Sequence, residues 1–227
     1  MTQEQFQEIQ DELKKWRDER HLTQESQREG LIGNLLEELT EYARAKDDLE
    51  RIDALCDMVV FCLNAFKTDE LRVFSYQKDT SSLLEELSKS VVSKTYNFNP
   101  RPTDILTNGV GLFLKRFIGV CINIIQGLGF NPYLCMKETI KEISSRTGEY
   151  DDKLKKFVKD TGFYNLQEAE CFKEGLFKEK SVKEAEIKEL DNSFEIKVVF
   201  DVGSGDNKID NIIFAKWYKA DYEACRN

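Results

Sequence analysis

Apolar residues recur at helical spacing over the first two thirds of the chain and at alternating spacing near its end. Leu31, Leu35, Leu39 and Tyr42 form one stripe, and Ile52, Leu55, Cys56, Val59, Leu63 and Phe66 form another. They predict helices over about Glu29–Lys46 and Asp48–Phe66, after an amphipathic helix over about Thr2–Arg20. Pro100, Pro102 and Pro132 are the three prolines and mark boundaries. A helix near Ser81–Tyr96 ends before the first two, and a long one runs near Asp104–Leu128. Gly127–Pro132 then supplies a stop and the start of a helix over about Pro132–Ser145. Beyond Thr147 the pattern changes. Gly148–Asp152 and the lysine-dense Lys153–Lys159 offer little core, and Lys173–Glu189 reads as a charged surface helix. Phe194–Phe200 and Ile209–Trp217 flank the turn-rich Gly203–Asn207 as a β-hairpin. The expected architecture is mainly α: a helical bundle over residues 1–146, then a tail over 147–227 with the lysine-rich segment and a small hairpin appendage.

The second and third helices also carry acids that packing does not call for. Glu37 and Glu41 lie four residues apart, Glu38 and Glu41 three, and Asp53 and Asp57 four, so each set forms one row at the edge of its apolar stripe. Acids on a helix are most often a solvated face. Here, however, the link through Arg44, Lys46, Asp47 and Asp48 is short enough for an antiparallel hairpin that turns the rows toward each other. Aspartate is also a poor helix former, yet Asp53 and Asp57 sit inside an otherwise apolar run. Like charges converging there repel unless a cation lies among them, and an all-oxygen donor set suits Mg²⁺ or Mn²⁺ better than zinc.

Composition narrows the classes. The 227 residues suffice for one domain with an appendage, and a net charge of −9 argues against binding a nucleic acid polymer. The six cysteines form no C-x-x-C and several fall on apolar stripes, which fits reduced thiols in a cytoplasmic setting. The single histidine, His21, falls in a polar turn and cannot found a His-rich zinc site. The apolar Val110–Phe130 stretch is interrupted by Lys115 and Arg116, so a buried core helix is expected there and not a membrane span. No secretion signal opens the chain. One echo stands out: Leu35–Leu39 is answered by Leu83–Leu87, and Phe61–Asn64 less closely by Val120–Asn123. In those registers Glu41 meets Lys89 and Asp57 meets Arg116, so a true repeat would pair one acidic half with one that has lost ligands.

Glu37-Glu38-Leu39-Thr40-Glu41 followed by Ile52-Asp53-Ala54-Leu55-Cys56-Asp57-Met58-Val59-Val60 resembles the signature of the all-α nucleoside triphosphate pyrophosphohydrolases. This is the MazG-like group, which includes dimeric dUTPases and phosphoribosyl-ATP pyrophosphohydrolase. Gly129-Phe130-Asn131-Pro132, Lys141–Arg146, Lys156–Lys159 and Trp217–Tyr222 are similar to its phage and bacterial branch. The resemblance covers about Leu31–Phe66 and Gly129–Lys159, with a patch at the C-terminus. Segments 67–108 and 161–213 fall outside it and read as insertions. It implies a MazG-like helical bundle, Mg²⁺ with Mn²⁺ as a substitute, and a homodimer. It also implies hydrolysis of a nucleoside triphosphate at the α-β phosphoanhydride, releasing a monophosphate and pyrophosphate.

Carried onto this chain, the resemblance makes Glu38, Glu41 and Asp57 metal ligands, with Asp53 as the fourth; the family often shows E-x-x-D, but Ala54 stands three residues before Asp57, and Glu50 is the other candidate. Glu37 either binds a further ion or accepts a proton from the attacking water, so Glu37 and Glu38 are the expected catalytic pair. Arg146, Lys156, Lys159 and Lys219 are expected on the phosphates, Tyr218 or Tyr222 on a base, and Asn64 on a base or sugar. Each has a plainer reading: solubilising lysines, aromatics closing the hairpin over a core, and a core-satisfied amide. The competing function is a helical nucleotide-binding or regulatory interaction protein that binds without turnover. A coiled-coil scaffold is disfavoured by Asp53 and Asp57 within the seam.

Overall fold

The computed structural model describes residues 1–67, 85, 110–151, 153, 156–179, 181–203 and 206–227. Chain contacts divide them into two units, Met1–Ile140 with Ala220–Asn227, and Lys141–Lys219.

The first unit is built on helices α1 (Gln3–Glu19), α2 (Gln24–Arg44), α3 (Asp48–Ala65), α4 (Val110–Gly127) and the start of α5 (Pro132–Ser145). Their starts follow from local chemistry. Thr2, Thr23 and Asp47 lie in extended backbone and each accepts a hydrogen bond from the amide three residues on, capping α1, α2 and α3. Asn131 caps α5 by accepting from Tyr133 and Leu134, with Pro132 at the first helical position. α4 stops at Gly129, whose φ of 91° is open to glycine at little cost. The Gly129 amide donates to Gln126 O at 3.1 Å and the Phe130 amide to Ile125 O at 3.2 Å, a Schellman stop sealed by the buried Phe130.

The expected stripes pack as read: Leu31, Leu35, Leu39 and Tyr42 of α2 are buried, as are Ile52, Leu55, Cys56, Val59, Leu63 and Phe66 along α3. α3 goes further and buries Ala54, Met58, Val60, Cys62 and Asn64 as well, because it contacts α1, α2 and α4. Its C-terminal turn holds no basic residue of its own. Neighbours supply the charge. Arg17 Nη1 donates to Asn64 Oδ1 at 2.9 Å and to Leu63 O at 3.4 Å, and Arg28 Nε donates to Ala65 O at 3.0 Å. These cations face the negative end of the helix dipole, where such pairs contribute about 0.3–1 kcal/mol each. The Arg28 contact also sets the start of α2 beside the end of α3, so the two helices run antiparallel.

The expectation of a mainly α, MazG-like bundle with a small hairpin appendage is corrected by the second unit. It contains a four-stranded mixed sheet, a two-stranded ribbon, and a core of its own. The ribbon pairs β1 (Gly148–Asp151) with β2 (Lys156–Lys159) antiparallel. The larger sheet has the order β3-β6-β5-β4, from β3 (Gly162–Phe163), β4 (Val182–Glu189), β5 (Ser193–Asp201) and β6 (Asn207–Lys216). The expected hairpin exists as β5–β6, with Phe194 opposite Phe214 and Ile196 opposite Ile212. β4 adds antiparallel to β5, and β3 adds parallel to β6. Phe194, Ile196 and Val198 alternate inward on β5 and meet Phe163, Phe214 and Ala169, with Phe172 and Leu176 packed alongside. Ala169, Phe172 and Leu176 belong to α6 (Leu166–Leu176).

The charged segment Lys173–Glu189, read as one surface helix, is therefore the end of α6 followed by strand β4. In β4, Val182, Ala185 and Ile187 are half-buried and pair with the apolar positions of β5, and that cross-strand packing outweighs the helical propensity of lysine and glutamate. No described helix is long and apolar enough to cross a membrane. The Leu83–Leu87 half of the echo and Lys89 lie outside the described residues, Glu85 excepted.

Candidate functional site

The two acidic rows lie toward one end of the α2–α3 pair, because the short Ala45–Asp47 link brings the end of α2 beside the start of α3. Asp53 and Asp57 are half-buried on a helix otherwise buried nearly all round; Glu38 faces them half-buried, and Glu37 and Glu41 are exposed. Burial pushes the Glu38 carboxyl up to about 8, and the charges of Asp57, Glu41, Asp53 and Glu37 push it the same way. Four carboxylates thus act on Glu38. Glu50 does not join them. Its Oε2 accepts from the Lys46 amide at 2.7 Å, and its own amide donates to the capping Asp47 at 2.9 Å, so it closes the start of α3. Of the two candidates for the fourth carboxylate, Asp53 is the one turned to the acidic face.

Asp53 has a partner that pattern reading assigned elsewhere. Tyr222, considered for stacking on a base, is buried, and its Oη donates to Asp53 Oδ1 at 2.8 Å. The same Oη lies 2.9 Å from Thr139 Oγ1 on α5. Burial raises the Tyr222 phenol well above its ordinary range, with the Cys56 thiol and the Asp53 and Asp57 charges adding to it, so the group stays protonated and donates. With Tyr222 and Asp53 169 positions apart, no spacing rule reaches from one to the other.

Asn64, expected on a base or sugar, is buried and accepts from Arg17, the core-satisfied outcome. The cationic candidates belong to the second unit. There Arg146 Nη2 donates to Glu142 Oε1 at 2.8 Å and its Nε donates to Tyr164 Oη at 2.9 Å, while Lys219 Nζ lies 3.2 Å from Glu142 Oε2. Glu142 is buried, and these two cations compensate it. Tyr218 donates its amide to Ser145 Oγ at 2.9 Å, and Lys141 Nζ sits 3.6 Å from the centre of its ring. Arg146 and Lys219 are thus gathered on Glu142 and their charge is engaged there, while Tyr218 is held by Ser145 and Lys141. Lys159 is exposed on β2; the Lys156 side chain lies outside the described residues.

A cleft of about 400 Å³ in the first unit is lined by Gln7, Lys14, Arg17, Thr23, Leu63 and Lys67, among others. It opens at the far end of the helical pair: Thr23 and Gln24 stand at the start of α2, fourteen positions or more before Glu38, roughly 20 Å at 1.5 Å per residue. It is separate from the acidic rows.

The donor chemistry of the rows, carboxylate oxygens with no thiolate or imidazole in the set, fits a hard divalent cation. A ready-made cage is not present: no group of three His, Cys, Asp or Glu side chains among the described residues is arranged to hold one ion. Comparison with known proteins adds nothing to either reading. The chain matches no family model, no curated protein and no solved structure.

Proposed function

We propose that the chain is a Mg²⁺-dependent nucleoside triphosphate pyrophosphohydrolase, the activity that its two motifs resemble. One observation carries the reading: two acidic rows face each other on an antiparallel helical pair, with Glu38 half-buried among four other carboxylates. A fold gains nothing in stability from such an arrangement, since like charges in a partly desolvated place repel. It gains a function if a cation with a polyanionic ligand completes the site.

Glu38, Glu41, Asp53 and Asp57 are the residues that would hold the ion, with Mn²⁺ as a substitute. Bound there, Mg²⁺ would offset the charge of the triphosphate and lower the pKa of a water. Glu37, exposed beside these residues, would take the proton of the attacking water as the water oxygen bonds to the α-phosphorus. The α-β bond breaks, and pyrophosphate leaves with the bonding electron pair. Because Glu37 and Glu41 are exposed, their rotamers can turn inward around an ion without repacking the core. A homodimer and a reduced, cytoplasmic setting belong to the same reading; the six cysteines, all free, support the second.

The test is a panel of nucleoside and deoxynucleoside triphosphates scored for pyrophosphate, with and without Mg²⁺. Metal-dependent release is expected, lowered at least a hundredfold in Glu38→Gln and Asp57→Asn while the helical signal is retained. Undiminished activity in either variant refutes the ligand assignment. Tight nucleotide binding with no product from any substrate turns the reading to binding without turnover.

A further inference from the structure

The C-terminal segment Ala220–Asn227 returns to the helical unit and is tied down at several points. The Asp221 amide donates to Glu138 Oε2 at 3.0 Å, and the Asn131 amide donates to Cys225 O at 2.8 Å. The Asn227 amide donates to Gly129 O at 2.9 Å, and Arg226 pairs with Phe130 in an isolated β-bridge. Every one of these anchors lies on α5 or the turn before it. The exception is the side chain of Tyr222, which crosses to Asp53 on α3.

Proton counting shows what this crossing does. Tyr222 has one hydrogen, and it goes to Asp53 Oδ1 at 2.8 Å, since a carboxylate can only accept. Thr139 Oγ1 lies 2.9 Å from the same Tyr222 oxygen and donates to Cys135 O, also at 2.9 Å, one turn back, so its one hydrogen is shared between the two acceptors. The Tyr222 hydrogen therefore points toward the carboxylate, with the Thr139 hydroxyl set against the phenol oxygen. It engages Oδ1 and restrains the side-chain torsion of Asp53. Tyr222 is 4% exposed, so the hydroxyl is held by packing and is shielded from competing water.

We propose that Tyr222 is a positioning residue, supported by Thr139, that orients Asp53 as a ligand of the divalent cation. The inference rests on the metal-dependent reading above. Groups that hydrogen-bond a ligating carboxylate characteristically change metal affinity about 10–100-fold when removed. A tyrosine that served packing alone would use its ring and gain nothing from the hydroxyl.

Mn²⁺ binding by the full-length chain, followed by the electron paramagnetic resonance signal of the free ion without nucleotide, is the primary measurement. Tyr222→Phe keeps the ring and removes the hydroxyl, and about a tenfold weaker Mn²⁺ affinity is expected with an unchanged circular dichroism spectrum. Excess Mn²⁺ should restore pyrophosphate release in this variant. Asp53→Asn and the double variant Asp53→Asn/Tyr222→Phe should bind Mn²⁺ alike, because the phenol acts through Asp53. Should Tyr222→Phe fold poorly, Thr139→Val is read in its place, with a smaller loss of about threefold expected. Wild-type affinity in the phenylalanine variant, or losses that add in the double variant, overturns the positioning role and leaves the metal-dependent reading standing. A wild-type chain that takes up no Mn²⁺ overturns the metal-dependent reading itself.

Discussion

Glu38 in the helical unit and Glu142 in the sheet-bearing unit are both removed from water, and the protein treats them in opposite ways. Glu142 is 4% exposed and meets Arg146, Lys219 and the Tyr164 hydroxyl, so its charge is offset by the chain itself. Glu38 is half-buried among Asp57, Glu41, Asp53 and Glu37, and its carboxyl is pushed up to about 8. A compensated buried acid is a structural part. An acid surrounded by acids must take a proton or a cation from outside, and this asymmetry separates a site from a scaffold even though both regions are rich in charge.

The comparison can be broken most forcefully at Glu142. Glu142→Gln leaves Arg146 partly buried without its carboxylate and should destabilise the protein by about 3 kcal/mol in denaturant titrations. A change below about 1 kcal/mol would show that the network is as dispensable as a surface pair. Divalent ions should act only at the other acid: Mn²⁺ at a hundredfold excess over its Kd should stabilise the wild-type chain by about 2.7 kcal/mol and Glu38→Gln by far less. Equal thermal shifts in both would place the ion elsewhere.

A pH series on metal-free protein sharpens the contrast. Because the folded chain holds the Glu38 proton more tightly than the unfolded one, stability should fall as pH climbs from the ordinary glutamate range to about 8, then level off in this respect. Screening at a partly open position leaves on the order of 1–2 kcal/mol of this effect. Glu38→Gln should remove that slope and be the more stable protein above pH 8. The smallest effect is a control on the same helix: Asp47→Ala deletes the cap of α3 and should cost about 1 kcal/mol at any pH above the aspartate range. If it alters Mn²⁺ affinity as well, the start of α3 and the site are coupled.

Helix α3 shows how far local pattern carries. Its stripe, its cap and its two aspartates follow from spacing that any reader of the chain can count, since a helical turn relates residues three and four apart. The turn after α2 is local as well, a three-residue link compatible with the antiparallel pairing observed. Where the partner is distant, that logic fails. Arg17 and Asn64 are 47 positions apart and Asn64 was assigned a ligand, although the buried amide serves the arginine. Residues 182–189 carry a composition that favours helix, and pairing with β5 made them a strand, because burying Val182, Ala185 and Ile187 against the sheet outweighs tenths of a kcal/mol per residue in propensity.

The amino-acid order on its own determined the acidic rows, the helices that bear them and the hairpin near the end of the chain, all products of interactions between near neighbours. Tertiary structure alone decided that Glu38 lies among four other acids, which arginines close α3, and that Tyr222 reaches Asp53. Burial and electrostatic partnership are properties of the folded arrangement, and residues far apart in sequence acquire them only when the core brings them together.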